Sequence, residues 1–134
     1  VAQDSPLTSV DEISGHTSAQ TETSNFGKSM AALGAQLVPT TGFDEAIMLV
    51  TFGRVEMTAN DFVTFQAFFE QRPDARIRLL DGQVGDASES AVLMARNQPR
   101  LRAAVDKSLT THMDNGDLAK IFEKYVSTDL TPES

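Results

Sequence analysis

Segments with strand-like and helix-like periodicity alternate along the first part of the chain, and this alternation constrains the fold more than any other feature. Predicted strands lie at 35–39, 54–59 and 75–80. Apolar residues at helical spacing predict helices at 26–33, 43–52 and 62–71. Strands that alternate with helices favour an α/β fold in which an open sheet is flanked by helices.

The polar segment at 15–25 is rich in threonine and serine, and two interpretations of it stay open: a loop, or a weak strand that runs into a helix. Thr21 or Thr23 is placed to cap that helix by accepting a hydrogen bond from a free backbone N–H. Further along, the short apolar run at 91–95 predicts a buried strand. The last third predicts two helices separated by a break at Asn115.

Composition excludes several classes of function. The 134 residues, 40% of them apolar, suffice for a folded domain with a core, and the longest apolar run is too short for a membrane span. The net charge of −8 disfavours binding to nucleic acid or to an anionic membrane surface. The chain contains no cysteine, which excludes disulfides and thiol catalysis. The first residues do not have the pattern of a secretion signal.

Common catalytic and cofactor motifs are missing from the sequence. The eight glycines are scattered and form no phosphate-binding loop, and there is no G-x-S-x-G motif. Neither His16 nor His112 has a second histidine at the spacing of a metal site. We therefore expect no metal and no cofactor, and these absences argue against an enzyme.

Two positions suit the charged groups of a small zwitterion. A helix start near Thr21 offers unpaired backbone N–H groups and the positive end of a helix dipole, which suit a carboxylate, and Thr17 and Gln20 add side-chain donors. Asp61 follows a strand and opens a helix, at the sheet edge where open α/β folds bind ligands, and its carboxylate suits an ammonium group. Helix capping and an ordinary polar loop explain the same residues, so both interpretations stay open.

Three blocks of sequence resemble the extracytoplasmic amino-acid-binding proteins of ABC importers, solute-binding protein family 3. Residues 97–126 resemble the last helices of that family. Residues 43–63 resemble its helix, its "GRvDa" strand and the helix led by an aspartate, and residues 8–24 resemble the lead-in to its Gly-Thr-Thr turn. The blocks follow the family's order and spacing and cover about residues 8–127.

The resemblance implies a single lobe of a type II periplasmic-binding-protein fold, in which two lobes close on a ligand. Residues 1–96 are expected to form the second, α/β ligand-binding lobe, and residues 97–134 a helical segment that returns toward the first lobe. Most of that first lobe, with the arginine that holds the ligand carboxylate in this family, is expected to precede the chain in a longer protein.

The resemblance also carries residue roles onto this sequence. Ala19-Gln20-Thr21 occupies the place of the family's Gly-Thr-Thr, which binds the ligand carboxylate, and Asp61 the place of the aspartate that binds the α-ammonium. Thr21 and Asp61 match that pattern, whereas Ala19 and Gln20 depart from it, and a polar segment replaces the usual apolar strand before them. The predicted ligand-binding residues are Thr17, Gln20, Thr21 and Asp61.

The implied function is non-enzymatic recognition of a small amino-acid-like ligand for ABC import, in the periplasm or another extracytoplasmic compartment, by closure of two lobes. Expected partners are the missing first lobe and an ABC permease or receptor, with no nucleic acid; a homodimer through the exposed lobe face is also considered. Three alternatives stay open: a sensor or receptor domain of this fold, a scaffold that has lost binding, and a dehydratase-type enzyme. The enzyme would use Asp61 with Glu56 or Glu22 as its acid and base.

Overall fold

The computed structural model describes residues 1–86, 90–127 and 129–131. The chain divides into two compact units, Val1–Asp86 and Ala87–Ser134. The first unit contains the sheet and the helices around it, and the second contains a pair of helices. No helix within the described ranges is long and apolar enough to cross a membrane.

A small parallel sheet forms the centre of the first unit, with the strand order β2-β1-β3. Its strands are β1 (Thr17–Gln20), β2 (Gln36–Pro39) and β3 (Met57–Thr58). Each strand is followed by a helix, and these are α1 (Asn25–Ala32), α2 (Phe43–Thr51) and α3 (Phe62–Gln71). The predicted α/β architecture, an open sheet flanked by helices, is therefore confirmed, although the strand predicted at 54–59 is reduced to the two residues of β3.

The central strand β1 is polar, and its polar groups are satisfied within the sheet. Ser18 and Ala19 are fully buried. The amide of Gln20 donates to the Ser18 hydroxyl at 3.1 Å, because residues two apart on a strand lie on the same face. The Thr58 hydroxyl donates to the Ala19 carbonyl at 2.8 Å. Of the two interpretations of 15–25, the strand that runs into a helix is therefore correct.

Two apolar clusters build the core of the first unit. The first contains Ala19 of β1, three residues of α2, and Phe65 of α3. The second contains Met30 of α1, Met57 of β3 and residues of the N-terminal segment. Because α1 contributes to one cluster and α2 and α3 to the other, the sheet carries helices on both of its faces.

Helix starts agree with the sequence at one place and differ at another. Asp61 caps α3, as predicted: one carboxylate oxygen accepts the Thr64 N–H at 2.8 Å and the other accepts the Thr64 hydroxyl at 2.9 Å. The prediction that Thr21 or Thr23 caps the first helix is wrong. The cap is Ser24, whose hydroxyl accepts the Gly27 N–H at 2.9 Å, because a turn at Thr21 delays the start of α1.

The strand predicted at 75–80 is also wrong. This segment forms only an isolated antiparallel bridge, between Ile77 and Ala2, and does not join the sheet. The alternating pattern arises because Ile77 points into the core while Arg78 is occupied by the N-terminal segment, where its guanidinium donates to the carbonyl oxygens of Ser5 and Leu7. Arg78 thus ties this segment to the N-terminal residues.

The second unit consists of helices α4 (Pro99–Asp114) and α5 (Asp117–Val126). Gly116 separates them with a positive φ of 75°, a conformation that glycine adopts without strain, and the predicted break is confirmed. The buried strand predicted at 91–95 is wrong: these residues form no strand, and Leu93 is 97% exposed. An apolar run alone does not supply the hydrogen-bonding partner that a strand requires.

Candidate functional site

The carboxyl ends of the three strands meet at one edge of the sheet, because the strands are parallel. A cavity of about 230 Å³ opens at this edge. This is the position at which open α/β sheets bind ligands. From β1 and the turn after it, the lining residues are Ala19, Gln20 and Thr21. From the ends of β2 and β3 they are Thr40, Thr58, Ala59 and Asn60.

The N-terminus of α1 forms one wall of the cavity, through Ser24, Asn25 and Phe26. The first N–H groups of a helix have no partner within the helix, and the Ser24 hydroxyl satisfies only that of Gly27. Gly27 allows this turn to be tight, because a Cβ there would lie 3.1 Å from the Thr21 carbonyl oxygen. The amides of Asn25 and Phe26 are therefore available to an acceptor in the cavity.

The N-terminus of α2 forms a second wall, through Gly42 and Phe43. Gly42 is the N-cap, and within the described ranges the first turn of α2 has no side-chain cap. Just before it, the Thr41 N–H and hydroxyl both donate to one oxygen of Glu45 at 2.7 Å. These hydrogen bonds, the backbone one foremost, lower the pKa of the Glu45 carboxyl. The positive ends of two helix dipoles thus face the cavity.

The described lining contains hydroxyl and amide side chains and no charged one. Gln20 is only 3% exposed, and its amide is held by Ser18. Within residues 1–86, 90–127 and 129–131, the hydroxyl of Thr40 is the one buried side-chain polar atom without a hydrogen-bond partner. Such a surface accepts a charged ligand group through helix dipoles and hydrogen bonds, because it has no counter-ion of its own.

Asp61 lies beside the cavity, one residue after the lining residue Asn60. Its backbone N–H donates to the Asn60 side-chain oxygen at 2.8 Å. Both carboxylate oxygens already hold Thr64, but each carboxylate oxygen has a second lone pair that can accept a further donor. Asp61 thus caps α3 and retains acceptor positions, and it adjoins a lining residue in the chain.

Thr17 lies at the opposite end of β1, about 10 Å from Gln20 at the usual rise per strand residue. Its N–H donates to the Glu56 carboxylate at 2.9 Å, and its hydroxyl contacts the same oxygen at 3.1 Å. His16 contacts the other Glu56 oxygen at 2.8 Å. These bonds, that of the Thr17 N–H first and that of His16 next, lower the pKa of Glu56. This cluster ties β1 to the segment that leads into β3, away from the cavity.

The structure therefore brings Gln20 and Thr21 into the cavity lining, leaves Asp61 next to it, and separates Thr17 from it. Sequence reasoning did not select Ser24, Asn25, Thr40, Thr58 and Asn60, which also line the cavity. One available signal was position: each polar residue that directly follows a predicted strand lies at the carboxyl edge of a parallel sheet. The predicted ligand-binding roles of Thr17, Gln20, Thr21 and Asp61 stay predictions.

No protein-family model matches the chain. It is 28% identical over 130 residues to a probable amino-acid ABC transporter-binding protein of Haemophilus influenzae, and this match covers 97% of this chain and 50% of that protein. It is 25% identical over 120 residues to the L-cystine-binding protein TcyA of Bacillus subtilis, and this match covers 90% of this chain and 44% of that protein. The chain thus spans about half the length of the curated relatives it matches.

Solved structures show the same fold. The L-cystine solute receptor of Neisseria gonorrhoeae, in its unliganded open conformation, superposes with a TM-score of 0.69 at 26% identity. The match covers 97% of this chain and 55% of the receptor. These comparisons confirm that the chain is related, over about half of their length, to the amino-acid-binding proteins of ABC importers and has the α/β fold of one lobe of such a protein.

Proposed function

We propose that the first unit supplies half of the binding site for a small amino-acid-like ligand, in an extracytoplasmic solute-binding protein that serves an ABC importer. The cavity at the carboxyl edge, with two helix N-termini in its walls, is the observation that carries this proposal. Binding occurs without turnover. The relatives named as binding proteins support both parts of the proposal.

The ligand carboxylate lies at the start of α1. Asn25 and Phe26 donate their backbone N–H groups, and the helix dipole stabilises the negative charge. The hydroxyl of Thr21, a lining residue in the turn between β1 and α1, adds a donor. Asp61 takes the ligand ammonium through the lone pairs that Thr64 leaves free, since a charge-assisted hydrogen bond there is stronger than a neutral one.

The rest of the site lies on a first lobe outside this chain, and closure of the two lobes excludes water from the ligand. In the second unit, several large apolar side chains are exposed, and these are Leu101, Leu109, Ile121 and Tyr125. We propose that the first lobe contacts this surface. An isolated half-site binds weakly, because contacts from one lobe alone must offset the full entropic cost of binding.

A sensor domain of the same fold would use the same site. A homodimer through the lobe face stays a prediction, which light scattering tests.

The dehydratase alternative receives no support from the position of the acids. Glu56 is held by Thr17 and His16 at the edge of the sheet opposite the cavity, so it cannot act together with Asp61 on one ligand. Glu22 does not line the cavity.

Two-dimensional NMR titration of this chain with the common amino acids, at millimolar concentration, tests the proposal. We expect shifts at Thr21, Asn25, Phe26 and Asp61. The matched variant is Asp61→Asn, because asparagine caps a helix as well as aspartate does, while it removes the charge and replaces one acceptor oxygen with an amide donor. Wild-type protein should bind an amino acid more tightly than the same acid without its amino group, and Asp61→Asn should bind the two alike.

A chain that responds to no amino acid contradicts the half-site as proposed. The same titration on the protein with its first lobe then separates an incomplete site from a scaffold that has lost binding. Thr17→Val gives the corresponding test for the predicted residue outside the cavity: a change in affinity without a change in fold would assign Thr17 a role despite its distance from the cavity.

A further inference from the structure

The entry to α2 holds a hydroxyl group that the fold leaves unused. Thr40 directly follows β2, its backbone N–H donates to the Gln20 carbonyl at 3.0 Å, and the residue lines the cavity. Thr40 is 9% exposed, and its Oγ1 has no hydrogen-bond partner within the described part of the chain. Buried polar groups are nearly always hydrogen-bonded, so an exception in a cavity wall requires an explanation.

Neighbouring groups are arranged so that the Thr40 hydroxyl stays free. Thr41 is fully occupied by Glu45, and the N-cap of α2 is Gly42, which has no side chain to accept from the first turn. The first N–H groups of α2 therefore lack a helical partner in the same wall as the Thr40 hydroxyl. The start of α1, where the ligand carboxylate is proposed to lie, is a separate wall of the cavity.

We propose that Thr40 and the start of α2 bind a second group of the ligand, a neutral carbonyl oxygen, so that the preferred ligand is an amino acid whose side chain carries an amide. This inference rests on the proposed function of the cavity. A hydroxyl and the free N–H groups of a helix start are donors, so the group that they bind is an acceptor. An aliphatic side chain would leave these donors buried and unpaired.

Local charge favours an amide over a second carboxylate. The first turn of α2 already contains Asp44 and Glu45, which offset the positive end of its dipole. The described lining contains no cationic side chain, so a second negative charge would have no counter-ion in this half of the site. A carboxamide oxygen requires none.

The Thr40 Oγ1 is buried, although the residue lines the cavity. The proposal therefore requires a rotation about the Cα–Cβ bond, of about 120° between staggered rotamers, when the ligand binds. No hydrogen bond within the described residues holds the present rotamer. Ligand binding is therefore expected to change χ1 of Thr40, which three-bond couplings to its methyl carbon report directly.

The test compares glutamine, glutamate and leucine as ligands for the wild type, Thr40→Val, Thr40→Ser and Thr51→Val, by NMR titration. Thr40→Val removes the hydroxyl at nearly constant shape, and Thr40→Ser keeps it. Thr51→Val makes the same change at a hydroxyl that donates to the Ile47 carbonyl of its own helix. We expect the wild type to prefer glutamine. Thr40→Val should weaken glutamine binding about fivefold to tenfold, the effect of one lost hydrogen bond, and leave leucine binding unchanged.

Each outcome has a defined meaning. Equal binding of glutamine by the wild type and Thr40→Val, or a wild type that prefers leucine or glutamate, overturns this inference while the proposed half-site stands. A wild type that binds none of the amino acids overturns both. Loss of glutamine affinity in Thr40→Ser or Thr51→Val would show that packing, and not the hydroxyl, determines affinity. Amide spectra of each variant verify that it is folded.

Discussion

Replacement of Ser24 separates the stability of α1 from its proposed role in binding the carboxylate. In the structure, the Ser24 hydroxyl accepts the Gly27 N–H at 2.9 Å and caps an eight-residue helix. Ser24→Ala should lower the free energy of unfolding by about 1 kcal/mol, the typical value of an N-cap. A change of that size lowers Tm by about 4–8 °C in a unit of this length.

Ser24→Asp keeps the cap and reverses the consequence for binding. Aspartate caps as well as serine does, so stability should be retained or slightly increased. Its carboxylate, however, stands where the ligand carboxylate is proposed to lie. Two unit charges about 4 Å apart near a protein surface repel by about 4 kcal/mol, and about 1.4 kcal/mol is a tenfold change in affinity. Amino-acid affinity should therefore fall by at least about tenfold.

Urea unfolding followed by circular dichroism measures stability, and NMR titration measures affinity. Ser29→Ala, inside α1, is the control for loss of a hydroxyl, and Ala31→Asp, about 10 Å further along the helix, is the control for added charge. Ser24→Asp protein that binds amino acids like the wild type would refute the placement of the carboxylate. Ser24→Ala protein with unchanged stability would refute the capping argument.

Three further predictions concern the framework of the site. Gly27→Ala should bring no net stabilisation. The new Cβ would lie 3.1 Å from the Thr21 carbonyl oxygen, and this close contact offsets the gain in helix propensity. A rise of about 1 kcal/mol in the free energy of unfolding, measured in urea, would contradict this. The pKa of the Glu56 carboxyl is lowered from the 4.5 of a free glutamate, chiefly by the hydrogen bond from the Thr17 N–H. Its contribution to stability is therefore present above about pH 4.5 and is lost as pH falls through the lower pKa of the folded state. The wild type should lose its stability advantage over Glu56→Gln in that acid range. If the free energies of unfolding of the two proteins run parallel with pH, the hydrogen bonds to Glu56 do not stabilise the fold in this way. Phe65→Ala should lower the free energy of unfolding by about 3–5 kcal/mol and Phe65→Leu by less than about 1.5 kcal/mol, because this ring is buried in the core and leucine fills more of its space. Equal losses of stability in thermal melts of the two variants would contradict this argument.

Local residue patterns predicted the elements whose determinants lie close together in the chain. The helix α2 and the cap of α3 depend on residues three or four positions apart, such as Asp61 and Thr64, and both agree with the prediction. The shift of the first cap from Thr21 to Ser24 shows the limit of such patterns. Thr21, Thr23 and Ser24 lie close together, and each is a suitable cap. Which of them caps α1 depends on the turn at Thr21, which Gly27 packs against.

The sequence alone determined the α/β class, the order of its helices and the resemblance to amino-acid-binding proteins, because periodicity and motif spacing are local and survive substitution. Tertiary structure decided which segments pair. The polar segment at β1 forms a strand because β2 and β3 supply its hydrogen-bonding partners. The apolar run at 91–95 forms no strand, since a strand exists only where a neighbour supplies hydrogen bonds. Tertiary structure also gathered Gln20, Thr40 and Asn60 at one sheet edge, because parallel strands align carboxyl ends that lie far apart in the chain.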